Sequence, residues 1–197
     1  IIQDEHGLCQ LGKVELIRAA FLAGNTPSGY KIQEAMDNKE LVQEHLLVGV
    51  IGEAIKEPSY RKGFILDGVL TTVDEAQKLD EMLAKQGVKI DKVLNFVIDD
   101  AILEERNTNR WIHGSSGRDY HSKFATPKVP GIDDVTGEPL VQNQTDNAAI
   151  LESSLKFYRN LTEPIIDYYS KKGIVANIHA EKPPEEVTAE ILKVLSS

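Results

Sequence analysis

Short apolar runs alternate with amphipathic segments along most of the chain. The runs at 64–66, 93–98 and 174–178 predict buried strands of a parallel sheet. Apolar residues at helical spacing predict helices, because this spacing places one apolar face against a core. The helices are expected at 15–23, around 32–36, at 41–55, at 73–86, at 148–172 with an interruption at Pro164, and at 185–195. Strands that alternate with helices indicate an α/β fold.

Polar residues mark the starts of several predicted helices. Thr26 or Ser28 is expected to cap the helix around 32–36, and Asp99-Asp100 is expected to cap a helix that follows the strand at 93–98. These side chains accept hydrogen bonds from the first free backbone N–H groups of a helix. Their positions therefore support the alternation of strands and helices.

The segment 107–147 differs from the rest of the chain. It is rich in Gly, Pro, Ser and Asp and has few apolar pairs, so neither helical nor strand periodicity is visible. A long stretch of this kind inside a compact domain is typical either of a functional lid or of disorder. The pattern alone leaves both interpretations open.

An acidic residue, Asp67, stands directly after the apolar run at 64–66, and Gly68 follows it. Ligands of open α/β sheets bind beyond the carboxyl ends of the strands. Asp67 is therefore placed to face a bound ligand or its metal ion. Alternatively, Asp67 caps the helix that follows. The local sequence favours neither alternative.

Composition narrows the class of protein. The 197 residues suffice for one domain with a sizeable core, with 41% hydrophobic and 27% charged residues. A formal net charge of −9 argues against binding to a nucleic-acid polymer or an anionic membrane surface. No apolar run approaches the ~20 residues of a membrane span. The single cysteine, Cys9, excludes an intramolecular disulfide and suits a reducing compartment, so we expect a cytoplasmic protein.

Five motifs together resemble one enzyme family. They are GFILDG at 63–68, KLDEML at 78–83, DKVLNF at 91–96, WIH at 111–113 and DDVTGEPL at 133–140. Their order and sequence are similar to those of long-lid, eukaryotic-type adenylate kinases, which interconvert ATP plus AMP and two ADP. The resemblance extends over residues 2–195. It implies one three-layer, P-loop-type nucleoside monophosphate kinase domain with a parallel sheet, a small helical monophosphate-binding subdomain at 12–56 and a lid insertion at 107–147.

The resemblance also implies that the chain begins after the family's first strand and phosphate loop. The pattern GxxxxGK[ST] does not occur in the 197 residues, and Gly12-Lys13 lacks both the earlier glycine and the following Ser or Thr. The sequence is expected to be either a fragment or the product of a gene that has lost its start. A missing N-terminal segment would also allow an organelle as the compartment.

The family resemblance assigns the candidate site residues. Asp67, Arg110 and Asp146 take the catalytic positions, with Asp67 holding water around a Mg²⁺ ion that accompanies the nucleotide. Arg106 and His121 are expected on the ATP side. The residues expected on the AMP side are Arg18, Leu41, Val42, Gly68 and Glu75. ATP and AMP are then the small-molecule ligands, and the resemblance implies a monomer.

A polar cluster in the lid is also implied. His113, Ser116, Asp133 and Thr136 match residues that replace a four-cysteine zinc site found in other members of the family. Because no cysteine stands at these positions, we expect no zinc. The cluster is expected to be a hydrogen-bonded structural knot.

Several positions depart from the family pattern at ligand contacts. Arginines of the family are replaced by Thr71, Asn143 and Ser154, and a glutamine that contacts adenine is replaced by Glu75, which only accepts hydrogen bonds. We therefore expect an adenylate kinase-like protein with impaired or absent phosphoryl transfer from ATP to AMP. The alternative is a catalytically dead pseudokinase that serves as a weak nucleotide-binding or protein-interaction module. A third interpretation is a gene fragment that folds poorly.

Overall fold

The computed structural model describes residues 2–23, 26–38, 45–142 and 148–196. Its helices are α1 Ile2–His6, α2 Lys13–Ala23, α3 Pro27–Asp37, α4 His45–Ala54, α5 Val73–Lys85, α6 Asp100–Thr108, α7 Ala148–Ser170 and α8 Pro184–Leu195. Its strands are β1 Cys9–Gly12, β2 Phe64–Asp67, β3 Val93–Val97, β4 Arg110–Ile112, β5 Asp119–His121 and β6 Val175–His179. A turn of 3-10 helix lies at Pro58–Tyr60.

The strands pair in a way that fits the predicted class. β1 runs parallel to β2, with Cys9 opposite Phe64 and Gly12 opposite Asp67. β3 pairs with β6, and β4 pairs with β5 in the antiparallel sense. Helices separate the strands of the parallel pair, as a parallel connection requires. The α/β class predicted from the sequence is confirmed.

Most predicted boundaries are correct to within two residues. The helix predicted at 15–23 begins at Lys13, and the strand predicted at 174–178 lies one residue later. Of the helix predicted at 41–55, the described part is α4, and residues 41–44 lie outside the described residues. Boundaries differ by this much because helix ends depend on caps more than on the apolar period.

Capping residues begin three of the described helices. Thr26 Oγ1 accepts from Gly29 N at 3.1 Å at the start of α3, and Asp99 Oδ1 accepts from Ala101 N at 2.8 Å at the start of α6. The helix after β2 is capped by Thr72. The interpretation of Asp67 as the cap of that helix is therefore wrong.

The chain divides into two compact units. The first consists of Ile1–Leu94, Leu161–Ala176 and Thr188–Ser197, and the second of Asn95–Asn160 and Asn177–Val187. The core of the first unit is formed by Leu11, Leu16, Ala20, Ile32, Leu47, Val48, Val50, Ile51, Val69, Leu79 and Leu83. Burial of such a set of aliphatic side chains is the main source of stability for this unit.

A polar latch joins α5 to the end of α7 within the first unit. The carboxylate of Asp80 accepts hydrogen bonds from the hydroxyls of Tyr168 at 2.8 Å and Tyr169 at 3.3 Å, and Lys172 Nζ pairs with it. The ammonium group of Lys172 also lies 4.5 Å from the centre of the Tyr168 ring. Burial, together with the Asp80 carboxylate, raises the pKa of Tyr169. We call these four residues the α5–α7 latch.

Helix α7 continues through Pro164 without a break, so the predicted interruption is wrong. Proline removes one helical hydrogen bond and crowds the preceding turn. Directly after it, the buried residues Ile165 and Tyr169 pack with Ala76 of α5. This packing holds the helix across the lost hydrogen bond.

Within the described part of the chain, no helix combines the length and apolar character needed to cross a membrane.

In the second unit, the segment expected to lack periodicity contains a short hairpin. β4 and β5 have three residues each, and isolated bridges join Ile112 to Val141 and Ile132 to Pro139. Strands of three residues are too short for an alternating pattern to be recognised. We call the hairpin and the loop that follows it, from Arg110 to Gln142, the lid hairpin, because they lie within the segment 107–147 for which the family resemblance predicts a lid.

Candidate functional site

The carboxyl ends of β1 and β2 lie side by side in the first unit. Gly12, the last residue of β1, is opposite Asp67, the last residue of β2. The Asp67 side chain is exposed, and its Oδ2 accepts a hydrogen bond from Gln10 Nε2 at 3.2 Å. The carboxylate is therefore where the sequence places it, at a strand end and accessible to a ligand.

Gly68 follows Asp67 with a φ of 62°. A Cβ atom built on Gly68 would meet no atom within 4 Å, so space does not require glycine here. The left-handed backbone conformation does, because other residues adopt it at a cost. Gly68 thus turns the chain away sharply after Asp67 and keeps the carboxylate at the end of the strand.

Glu75 is 7% exposed and accepts hydrogen bonds from the loop that precedes α5. Its Oε2 accepts hydrogen bonds from Thr71 N at 2.8 Å, Thr71 Oγ1 at 3.1 Å and Thr72 N at 3.2 Å. In return, Thr72 Oγ1 accepts from Glu75 N at 3.2 Å, which completes a capping box. The sequence Thr72-Val73-Asp74-Glu75 has the Thr-x-x-Glu pattern that is typical of this box.

Arg18 lies in α2, between the buried residues Leu16 and Ala20, and its own side chain is exposed. An exposed guanidinium suits contact with an anionic ligand and equally suits contact with solvent. Leu41, Val42 and Asp146, the other expected site residues, lie outside the described residues, as does Asn143.

In the second unit, Arg106 extends from the last turn of α6. Its Nη1 donates to Ala180 O at 2.8 Å and its Nη2 donates to Glu181 O at 3.2 Å. The two carbonyl groups hold the guanidinium plane in a fixed orientation. They carry no formal charge, so the cation keeps its charge and a flat face that can stack on a base.

Arg110 opens β4 and is paired differently. Its Nη2 and Nε donate to Asp119 Oδ1 of β5 at 2.8 Å and 3.1 Å. The strand register places Arg110 opposite His121 and Ile112 opposite Asp119, so the pair is a diagonal one across the hairpin. The sequence did not predict Asp119 as a partner, because the hairpin that brings it near was not predicted.

His121 has a buried nitrogen atom with an unmet hydrogen bond. Its Nδ1 accepts from Lys123 N at 3.0 Å and from Phe124 N at 3.3 Å, so the proton of the neutral ring is on Nε2. Nε2 is buried and is the one such side-chain atom without a hydrogen-bond partner among the residues that the structure describes. A donor of this kind is costly unless a ligand supplies an acceptor. The ring also stacks on Phe124, with 4.7 Å between ring centres.

The predicted knot of four polar residues in the lid hairpin is confirmed. The buried His113 contacts Ser116 Oγ through Nδ1 at 2.7 Å, and Thr136 Oγ1 donates to Asp133 Oδ2 at 2.8 Å. Thr136 Oγ1 also lies 3.3 Å from His113 Nε2, which links the two pairs. These bonds satisfy the polar groups of the buried His113 and Asp133.

Three further residues, which the sequence did not indicate, complete the knot. Arg118 and Tyr120 both donate to the buried Asp133, the tyrosine hydroxyl at 2.9 Å from Oδ1. Glu138 Oε2 lies 2.6 Å from His113 Nε2. The guanidinium of Arg118 holds the pKa of Asp133 well below its usual range, against the opposing effect of burial. Asp133 is therefore an anion around which the lid hairpin is ordered.

A Mg²⁺ ion bound with a nucleotide fits the donors that are present. No three His, Cys, Asp or Glu side chains of the described residues are grouped closely enough to hold a metal by themselves. Mg²⁺ seldom needs such a cage, since it keeps several waters and usually binds one or two carboxylates plus substrate phosphates. The exposed Asp67 carboxylate at the end of β2 is a donor of this type.

Comparison with known proteins identifies the family. The sequence matches the family model for adenylate kinase over residues 1–174. Adenylate kinase 4 of Oryza sativa subsp. japonica is 64% identical over 196 residues, covering 100% of this chain and 80% of the relative. Adenylate kinase 4 of Arabidopsis thaliana is 57% identical over 196 residues, covering 100% of this chain and 79% of the relative. An adenylate kinase of Laccaria bicolor is 39% identical over 197 residues, and the match covers 77% of that relative's length.

These matches agree with the α/β architecture and with the motifs read from the sequence. The family match includes Asp67, Arg106, Arg110 and the whole lid hairpin. The relatives are aligned along the full length of this chain, at identities well above those at which fold alone is shared. The chain belongs to the adenylate kinase family.

Proposed function

We propose that this chain binds ATP with Mg²⁺ as adenylate kinases do, and that its transfer of the phosphoryl group from ATP to AMP is impaired or absent. The observation that carries the proposal is the contact between Thr71, in the loop before α5, and Glu75, in the first turn of α5. There, a buried carboxylate accepts three hydrogen bonds from Thr71 and Thr72. By resemblance, a cation and an amide would stand at these two positions.

The proposed loss on the AMP side follows from charge. A phosphate monoester is an anion, and the Thr71 hydroxyl is neutral and already donates to Glu75. The Glu75 carboxylate adds a negative charge, and a carboxylate cannot donate to the ring nitrogens of adenine. Arg18 is the expected AMP-side cation that remains, with an exposed side chain. AMP binding should therefore be weaker than in relatives with an arginine at this position.

The surroundings of Ser154 support the same conclusion. A shallow groove on α7 is lined by Ala149, Ile150, Ser153, Ser154 and Phe157, none of which is a cation. The Phe157 side chain is exposed. Phosphoryl transfer depends on cations that neutralise the moving charge, and a single arginine can contribute ~10³-fold or more to the rate. The five described side chains that line this groove give no such stabilisation.

The proposed ATP side retains suitable groups. Arg106 keeps its charge and its flat face, and His121 Nε2 offers a buried donor without a partner among the described residues. Arg110 supplies a guanidinium for the phosphates. Asp67 would hold Mg²⁺ through water, and the ion would neutralise phosphate oxygens when bound.

We further propose that 12–56 forms the monophosphate-binding subdomain, that 107–147 forms the lid and that the protein is a monomer.

Calorimetric titration with MgATP and, separately, with AMP tests the proposal, together with a coupled assay of ADP formation. We expect MgATP binding, weak or no AMP binding, and little or no turnover. The variant Thr71→Arg should strengthen AMP binding, because it restores a cation beside the phosphate. Ser170→Arg, which adds the same charge at an exposed position at the end of α7, should not.

Two results would contradict the proposal. Rapid turnover by the unmodified chain would show that other groups replace the substituted arginines. Absence of MgATP binding by a cooperatively folded sample would refute the assignment of the ATP side.

MgATP binding without turnover in both the unmodified chain and Thr71→Arg would favour the second candidate, a nucleotide-binding pseudokinase. The apolar groove at Ser154 also favours this candidate.

A further inference from the structure

We propose that Asp119 is a positioning residue that limits the affinity for nucleotide phosphates by pairing with Arg110. This inference rests on the proposed ATP binding and concerns the strength of that binding. The carboxylate oxygen Oδ1 of Asp119 accepts from both Nε and Nη2 of Arg110. These are two donors on one edge of the guanidinium, the edge that a phosphate would use for a two-point contact.

The contrast with Arg106 indicates what Asp119 does. Both arginines stand near the start of the lid hairpin, four positions apart in the sequence. The partners of Arg106 are two backbone carbonyls, which orient the guanidinium and leave its charge uncompensated. Arg110 donates instead to the carboxylate of Asp119, which orients the guanidinium and also compensates part of its charge. The two arginines therefore differ in the charge they offer to a ligand.

The pairing of β4 with β5 brings Arg110 and Asp119 together, and a ligand can nevertheless displace Asp119 from Arg110. Asp119 lies on β5 and Arg110 on β4, so the antiparallel pairing brings their side chains together. The side chains are 42% exposed for Arg110 and 59% exposed for Asp119. Exposed ion pairs are weak, because water and salt screen both charges. A phosphate group can thus displace Asp119, but it must first break this pair.

Replacing Asp119 should therefore strengthen binding of a phosphate-bearing ligand by a modest factor. We expect Asp119→Asn to lower the dissociation constant for MgATP roughly two- to fivefold, the range that corresponds to the small free energy of exposed ion pairs. Asp119→Glu keeps the charge and should leave the affinity close to that of the unmodified chain. The gain in Asp119→Asn should shrink as salt is added, because salt screens the charge that was removed.

The experiment is calorimetry with MgATP and with adenosine, a probe that has the base and no phosphates. Asp119→Asn should tighten MgATP binding and leave adenosine binding unchanged. Glu104→Gln is the matched control, since it removes one exposed negative charge from α6 in the same unit. In an Arg110→Ala background, Asp119→Asn should have no further effect. Thermal unfolding of each variant confirms that the fold is kept.

The outcomes separate this inference from the proposed function. If MgATP binds and Asp119→Asn has the same affinity as the unmodified chain, the role of Asp119 is refuted while ATP binding stands. An equal gain from Glu104→Gln would also refute it, because the effect would be one of net charge. Binding that appears only in Asp119→Asn supports the role of Asp119 and refutes ATP binding by the unmodified chain. No binding by any variant refutes both.

Discussion

Arg118 donates two parallel hydrogen bonds to the carboxylate of Asp133, from Nε to Oδ1 at 2.9 Å and from Nη2 to Oδ2 at 2.7 Å. The Asp133 side chain is fully buried, whereas that of Arg118 is about one third exposed. Two-point contacts of this kind fix orientation as well as charge. The pair joins the residue before β5 to the loop that carries Thr136 and Glu138, so it organises the whole lid hairpin.

Asp133→Asn should loosen the lid hairpin while most of the rest of the protein stays folded. The amide keeps the shape of the carboxylate but loses the charge that attracts Arg118. Its NH₂ group is a donor, so it cannot accept the hydrogen bonds that donors such as the Tyr120 hydroxyl make to the carboxylate. Hydrogen exchange of the backbone amides from Arg110 to Gln142 should become faster. Asp134→Asn is the matched control, since its side-chain oxygen can still accept from Lys128 N. Unchanged exchange in Asp133→Asn would contradict the central role of this carboxylate.

The stability of the lid hairpin should fall in acid because of Asp133. Arg118 lowers the pKa of Asp133 in the folded state, so folding favours the charged carboxylate. The charged Asp133 carboxylate therefore stabilises the lid hairpin fully above the ordinary aspartate pKa of about 4. This stabilisation is lost as the pH falls below that value toward the lowered pKa of the folded state. Hydrogen exchange or proteolysis at pH 6 and at lower pH would measure this.

Arg118→Ala supplies the comparison for the acid experiment. Without the guanidinium, the main cause of the lowered pKa is removed, so the variant should be less stable at pH 6 and should lose less on acidification. If both proteins lose the same protection between pH 6 and pH 3, the acid sensitivity arises from another group.

Glu75→Gln and Glu75→Ala should separate the capping role of this residue from its proposed effect on AMP. Glutamine is also a capping-box residue and can accept from Thr71 and Thr72, so we expect a change in the free energy of unfolding of less than about 1 kcal/mol. Alanine removes the box and should destabilise by about 1 kcal/mol or somewhat more. AMP affinity should rise in Glu75→Gln because the amide both donates and accepts. A rise in Glu75→Ala of the same size would show that only the negative charge matters.

The α5–α7 latch should contribute measurably to the stability of the first unit. Lys172→Met removes the ion pair with Asp80 and the contact with the Tyr168 ring, each of which is worth up to about 1 kcal/mol at a partly exposed site. The midpoint of thermal unfolding should fall by roughly 2–4 °C. Lys171→Met is the control, since it removes the neighbouring exposed lysine. Equal midpoints for the two variants would mean that the latch adds nothing.

Much of the fold could be predicted because its signals are local. Thr26 and Asp99 cap the helices that they precede in the sequence, and the apolar run at 64–66 lies in β2. The polar knot was predicted through the family resemblance and is visible in its hydrogen bonds. These features depend on a few neighbouring residues or on motifs with fixed spacing.

The remaining features depend on contacts that the sequence pattern does not encode. Pro164 was expected to interrupt α7, but Ile165 and Tyr169 pack well enough to hold the helix. The partnership of Arg110 with Asp119 depends on a hairpin whose strands are three residues long. The engagement of Glu75 by Thr71 had a readable signal, yet the family position suggested a ligand contact instead.

The polar knot joins residues that are close in the sequence, so all its partners become available early during synthesis. The Arg118–Asp133 contact closes a loop of 15 residues and the His113–Glu138 contact one of 25, whereas Asp80 and Tyr168 are 88 residues apart. Short loops close at a lower entropic cost and sooner than long ones. The lid hairpin can thus form once Glu138 has left the ribosome. The partners of Asp80 emerge about thirty residues later, so the contacts of the latch become available only after those of the hairpin.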